Sequence, residues 1–282
     1  MPTISTNIAA NTALAYLNQN SAAESAALAK ISSGSNLTSA ANDAAGLAIS
    51  TNMKSDLAVL QQAQTNTTSG ESVLNTADGA LSNISDVLTR MKALAAQAQS
   101  GSSDASSLSD IQTEFSALAT EISNIADQTT FNGQALLSTT NADGTTSSFT
   151  STAGATFLTG TSSSDTISVK LSDLTSMITT LQGLDVTTST GATTAMSTLT
   201  TDIQSISTDR ASVGAQLEQL QYTGDTISTS ITNLQSASSA ISDVDLSAEQ
   251  TTYTNEQTLT SAAVSALTEA NAMQGELLKV LQ

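Results

Sequence analysis

After Pro2 the sequence contains no further proline. Nothing in the interior therefore carries the ring that breaks a helix, and long helices are permitted. Apolar residues recur at alternating steps of four and three, which keeps them on one narrow face because the repeat averages 3.5 residues per turn. Four stretches obey this rule. The first is Val73, Ala77, Ala80, Ile84, Val87, Met91, Leu94 and Ala98, with Leu74, Leu81 and Leu88 widening the same face. The second is Leu108, Ile111, Phe115, Leu118, Ile122 and Ile125. Gly101-Ser102-Ser103-Asp104 separates them as a loop, so the two read as an antiparallel helical hairpin. The third runs from Ile203 through Ile206, Arg210, Val213, Leu217, Leu220, Gly224, Ile227, Ile231, Leu234 and Ser238 to Ile241. A seam of about eleven turns needs partners along its length, and the hairpin and residues near 48 to 68 are the candidates.

The fourth seam is Leu259, Ala263, Ala266, Ala270, Met273, Leu277 and Val280, and it reaches almost to Leu281. Chain termini usually fray, so an apolar stripe there implies that something docks on it. The other end behaves alike: residues 3 to 31 are rich in Ala, Asn and Ser, with Ile4, Ile8, Leu14, Leu17, Leu28 and Ile31 at roughly helical spacing. Alanine-rich helices bury little area, and an isolated helix is marginal in water. Both ends are therefore expected to be largely unfolded in a free subunit and to fold on association. Residues 138 to 200 have another texture, dense in Ser, Thr and Gly. They hold one strand-like alternation, Ile167, Val169 and Leu171, beside one short helical quartet, Leu174, Met177, Ile178 and Leu181, which favours a small α+β insert over a linker. The expected fold is mainly α: a long coiled-coil-like helical rod built from both chain ends, with a small β-containing central insert.

Composition removes whole classes of function. There is no Cys and no His, which excludes disulfides, the usual zinc sites, a thiol nucleophile and a Ser-His-Asp triad. The formal net charge of −18 would repel nucleic acid and anionic lipid. No run of about 18 apolar residues is present to span a bilayer, and the start Met1-Pro2-Thr3-Ile4-Ser5-Thr6 lacks the basic and apolar regions of a cleaved signal peptide. Asp143, Asp165, Asp173, Asp185 and Lys170 in the insert form neither a phosphate loop nor a calcium-loop pattern. The expectation is a protein that is not an enzyme, with no cofactor, no metal, no nucleic-acid partner and no membrane insertion.

Two groups of motifs resemble the bacterial flagellins. Near the start these are Ile31-Ser32-Ser33-Gly34, Ala40 and Asp43-Ala44-Ala45-Gly46-Leu47-Ala48-Ile49. Further along they are Thr76-Ala77-Asp78-Gly79-Ala80-Leu81, Phe131-Asn132-Gly133, Arg210 with Gly214-Ala215, Asp243 with Asp245, and the ending from Ala270-Asn271 through Leu277-Leu278 to Leu281. The resemblance implies an inner helical domain from residues 1–42 and 245–282, a helical rod domain from 43–137 and 201–244, and an exposed insert at 138–200. It implies a subunit that polymerises with itself into the flagellar filament, or copolymerises with other flagellins. It also implies export without a cleaved signal peptide, an extracellular flagellar location, and partners in the flagellar export apparatus, an export chaperone, and the hook-associated and cap proteins. The expected assembly residues are Ile4, Ile8, Leu14, Leu17, Leu259, Ala263, Ala266, Ala270, Met273, Leu277, Val280 and Leu281. In the family a hairpin patch is read by a Toll-like innate receptor, and the matching positions are Arg90, Leu94 and Glu114.

The sequence departs from the family pattern where cations are usual: Asn36, Glu218-Gln219 and Ala240 stand in their places. Surface ion pairs contribute only about 0 to 1 kcal/mol, so the loss bears on contacts between neighbours more than on folding. A hook-filament junction protein would share flagellin-like ends, and a coiled-coil adhesin with a Ser/Thr-rich head would share the seams. The Asp43–Ile49 run favours flagellin over the first; the second would not require seams at both ends and would normally carry a leader or anchor.

Overall fold

A computed structural model of the chain describes residues 6–100, 104–140 and 144–280, with side chains described as far as residue 276. Among these residues, six helices and four short strands follow one another. They are α1 (Ile8–Ser33), α2 (Ala44–Gln99), α3 (Ala105–Gln128), β1 (Thr130–Phe131), β2 (Gln134–Ala135), β3 (Ala155–Leu158), β4 (Thr166–Val169), α4 (Thr175–Gln182), α5 (Ser189–Ser242) and α6 (Leu246–Val280). The fold is mainly helical with a small β-containing insert, as the seams and the alternation at Ile167 and Val169 imply. The chain divides into two compact units, one from residues 1–57 and 233–282 and the other from 58–232, and both α2 and α5 contribute to each.

The unit of residues 58–232 holds the thick core. Its helices bury the faces that the first three seams predict: Val73, Leu74, Leu81, Ile84, Leu88 and Met91 from α2, Phe115 and Ile122 from α3, and Ile206, Val213 and Leu220 from α5 are all essentially inaccessible. Fully burying a Leu, Ile or Phe contributes about 1.5 to 3 kcal/mol, so this cluster is what makes the unit stable. Arg210, which interrupts the third seam, reaches Asp78 on α2 with Nε 2.8 Å from Oδ1. The insert shares the same core through Ile167, Val169, Leu171, Leu174, Ile178 and Leu181, next to Leu136 and Leu137 just before it. It is strapped to the helices by three side-chain amides. Asn66 donates to the Leu158 carbonyl (3.0 Å). Gln112 donates to the Leu184 carbonyl (3.2 Å) and accepts from the Val186 amide (2.7 Å). Gln216 accepts from the Lys170 amide (2.8 Å) and donates to the Lys170 carbonyl (3.1 Å). Each pairs backbone groups that a linker would leave to water.

The two sheets are antiparallel pairs, β1 with β2 and β3 with β4. Asn132 and Gly133, with φ of 49° and 78°, make the tight β1–β2 turn that such a hairpin prefers. Helix α5 begins at Ser189, inside the stretch assigned from sequence to the insert. The Ser/Thr-rich segment 189–201 is helical because one of its faces is apolar and buried, while its hydroxyls are satisfied on their own helix. Thr193, Thr194, Thr200 and Thr201 each donate to the carbonyl four residues earlier, and Ala192, Ala195 and Leu199 enter the core with no exposed surface.

One half-buried carboxylate runs against this pattern. Asp202 borders a polar cleft with Lys170, Asp173 and Asp209, and its Oδ2 is buried without a donor. Burial pushes its carboxyl pKa above the ordinary value. A raised pKa means that the ionised form opposes folding. The penalty is absent below the ordinary carboxylate pKa and develops as pH rises through the raised one. Asp202→Asn is therefore expected to raise the urea midpoint at about pH 7 and to leave it nearly unchanged at about pH 3, measured by circular dichroism.

Candidate functional site

The unit of residues 1–57 and 233–282 is built on a junction where the two chain ends meet. Helix α1 stops at Gly34, whose φ of 69° is the left-handed value that lets its amide return to the Lys30 carbonyl. The next residues pair antiparallel with the end of α5. Ser35 bridges Asp243, the Asn36 amide donates to the Ser242 carbonyl (2.8 Å), and the Val244 amide donates to the Gly34 carbonyl (3.1 Å). Asp245 then starts α6 by accepting from the Ser247 amide (2.9 Å) and the Ala248 amide (3.1 Å). Asp43 does the same for α2, accepting from the Gly46 amide at 2.9 Å. A Cβ on Gly46 would collide with that carboxylate, which is a physical reason for Gly in the Asp43-Ala44-Ala45-Gly46 run. The residues singled out in the sequence at 34, 43, 46, 243 and 245 are thus the turns and caps of one junction.

From this junction α1 and α6 pack together, pinned by Asn7 Nδ2 on the Ala270 carbonyl (2.9 Å) and by Lys30 Nζ on Glu249 (3.7 Å). The face that α6 gives to this pairing shares only Ala263 and Ala270 with the described part of its apolar stripe. Its buried and half-buried positions are Glu249, Tyr253, Glu256, Thr260, Ala263, Leu267, Ala270 and Gln274, a run spaced by four and three. On α1 the matching run is Ala10, Ala13, Leu17, Asn20, Glu24, Ala27 and Ile31. Only Ala27, Ala263 and Ala270 are fully buried on the described parts of these two helices. An alanine methyl contributes about 0.8 kcal/mol, against about 1 to 2 kcal/mol of backbone entropy per ordered residue. Burial within the pair is therefore slight.

The expected assembly residues divide accordingly. Leu17, Ala263 and Ala270 face the pair; Ile8 (65% exposed), Leu14, Leu259, Ala266 and Met273 (55% exposed) lie open on its surface. Ile4 and Leu281 lie outside the described residues, as do the side chains of Leu277 and Val280. Sequence patterning did not single out Tyr16, Leu246 and Val264, which are exposed on the same two helices. Among the described residues, every large apolar side chain found exposed belongs to this unit except Tyr222. The hairpin patch is not a continuous surface. Arg90 and Glu114 pair in solvent, with Nη2 2.6 Å from Oε1, but Leu94 is 2% exposed and belongs to the core. Asn36, Glu218, Gln219 and Ala240, which replace the family's usual cations, are all exposed. No helix of the described chain is long and apolar enough to cross a membrane, and no group of three acidic residues among the described ones is placed to hold a metal.

These features define a class of helical subunit whose two ends close on each other and present apolar flanks. Comparison with known proteins places the chain within it. The bacterial flagellin N-terminal helical region matches residues 4–142, and the bacterial flagellin C-terminal helical region matches residues 196–281. A flagellin of Halalkalibacterium halodurans is 32% identical over 199 residues, 70% of this chain and 69% of that one. A flagellin of Clostridium tyrobutyricum is 42% identical over 134 residues, 48% of this chain and 36% of that one, so the match spans little more than a third of that relative. The crystal structure of Bacillus cereus flagellin superposes with a TM-score of 0.51 at 32% identity, covering 62% of this chain and 94% of that one. The chain belongs to the bacterial flagellin family.

The junction makes a direct prediction. Asp43→Ala removes the α2 cap and should lower stability by about 0.5 to 2 kcal/mol. Gly46→Ala should show a loss in the same direction, because the carboxylate must leave its place. Amide hydrogen exchange of residues 44–50 reads both, and unchanged exchange would contradict the capping role.

Proposed function

We propose that the chain is a non-enzymatic structural subunit that polymerises through its paired ends into an extracellular flagellar filament. The observation that carries this reading is the placement of Ile8, Leu14, Leu28, Leu259, Val264 and Met273, all large, apolar and exposed on two helices that bury little between themselves. Burying one such side chain against a neighbour contributes about 1.5 to 3 kcal/mol. Several acting together offset the ordering of the ends, so folding of α1 and α6 is coupled to docking. This proposal extends to Leu277, Val280 and Leu281, which continue the stripe of Leu259, Ala266 and Met273 in the sequence. The exposed surface left by Asn36, Glu218 and Ala240 suits a lattice with fewer ionic contacts between neighbours, or copolymerisation with other flagellins.

The same apolar stripe on α6 is what an export chaperone would cover before the subunit passes through the flagellar export apparatus. Hook-associated and cap proteins would meet the same ends at the two extremities of a filament. Recognition by a Toll-like innate receptor would rest on Arg90 and Glu114 alone, since Leu94 is committed to the core.

Seeded polymerisation followed by negative-stain electron microscopy tests the proposal. The full chain is expected to extend short filament fragments, and a chain lacking residues 246–282 is expected to remain unassembled while residues 58–232 keep their helical signal. Filaments from the shortened chain would refute the role given to α6.

A further inference from the structure

Helix α5 carries a polar stripe one residue behind its apolar seam. Asp202, Ser205, Asp209, Ser212 and Gln216 recur at steps of three and four, and together they form one wall of the polar cleft whose other wall is the insert segment 168–174. In that segment Val169 and Leu171 enter the core, which leaves the residues between them to meet α5. Gln216 holds both backbone groups of Lys170, and the Ser172 hydroxyl donates to Asp209. The same stagger places Asp202 opposite the start of α4, whose Leu174 and Met177 line the cleft. The two carboxylates at this end are held differently. Burial works to raise the Asp173 carboxyl, but hydrogen bonds from Thr139 and Thr175 outweigh it and hold that group below its ordinary value. Asp202 Oδ2 is buried without any donor. The charged groups that share the cleft with it are Lys170 and Asp173 from the insert and Asp209 from its own helix. Among the described residues no charged side chain of α2, α3 or α4 lines the cleft, and no ion pair forms within it.

We propose that the α4 end of this cleft is a proton-operated clasp: with Asp202 neutral the start of α4 closes on α5, and with Asp202 ionised it opens enough to admit water while the Gln216–Lys170 end stays shut. A neutral carboxyl carries its own donor, whereas a buried anion without a donor is strongly destabilised until water reaches it. The far end holds no such charge, because Gln216 satisfies the Lys170 amide and carbonyl. Burial raises the Asp202 carboxyl. The closed form is therefore fully favoured below the ordinary carboxylate value, and that preference is lost as pH rises through the raised one. Asp173, shifted the other way, stays ionised across this window and keeps its hold on Thr175. The clasp lies within the unit of residues 58–232, which encloses its own core, so it operates in the free subunit.

Amide hydrogen exchange by NMR on the full, unassembled chain tests this between about pH 4 and about pH 8, with each rate divided by that of an unstructured chain at the same pH. Protection of residues 174–178 is expected to fall by up to about tenfold per pH unit and to level off above the raised Asp202 value. The Lys170 amide and residues 84–91 of the core are expected to hold steady over the same range. Asp202→Asn should remove the pH dependence and keep the start of α4 protected throughout, and Asp202→Ser, which removes the charge with a smaller side chain, should do the same. Protection of 174–178 that does not change with pH in the unsubstituted chain would overturn the proposal. So would a pH dependence that survives in both variants, or a fall shared equally by Lys170 and residues 84–91, which would mark opening of the whole unit.

Discussion

The short antiparallel bridge between Ser35 and Asp243 is the constraint on which the paired ends depend. It brings together residues far apart in the chain with four backbone groups, Asn36 N–H on Ser242 C=O and Val244 N–H on Gly34 C=O, and it fixes where α1 stops and α6 starts. Gly34 makes the stop possible and Asp245 caps the start. Once these turns are set, the two end helices emerge side by side and have no choice but to meet. The pairing then requires little adhesive surface of its own, and Ala27, Ala263 and Ala270 supply it.

The two units use apolar residues in opposite ways. Residues 58–232 enclose Leu, Ile, Phe and Met in a continuous core, shared with a central insert that amide side chains hold in place. The unit formed by both chain ends encloses mainly alanine and leaves larger side chains outside. A marginal pair with apolar flanks suits a part that completes its fold on contact with copies of itself, whereas a self-sufficient core suits a part that is stable before assembly. Family membership and this division of apolar surface point to the same role from independent directions.

Large residues at strict spacing made the hairpin of α2 and α3 legible, because Val73 through Ala98 and Leu108 through Ile125 have no other face to bury. The alternation at Ile167 and Val169 and the quartet ending at Leu181 likewise became β4 and α4. The start of α5 was hidden, since Thr190, Thr193 and Thr194 read as loop residues and their backbone-directed hydroxyls are invisible to a hydrophobic pattern. The inner face of α6 was hidden for the opposite reason. Hydrophobic periodicity merges two faces into one stripe: Ala263 and Ala270 of that stripe face α1, Leu259, Ala266 and Met273 lie outside, and Glu256 and Thr260 join the seam. The marked residues Gly34, Asp43, Gly46, Asp243 and Asp245 were recognisable by likeness, but their work as turns and caps depends on contacts between the two distant chain ends and on local backbone geometry that no periodicity carries.

The sequence has no cysteine, so a single introduced thiol reports on one position without background. The most direct measurement is maleimide labelling of Leu259→Cys and Met273→Cys, each in the free subunit and again in assembled filaments. If the outer flank of α6 is the surface that neighbours cover, both positions label readily before assembly and are strongly slowed after it. Equal labelling rates in the two states would contradict the account, because the flank would then be exposed in the filament and something else would hold the subunits together.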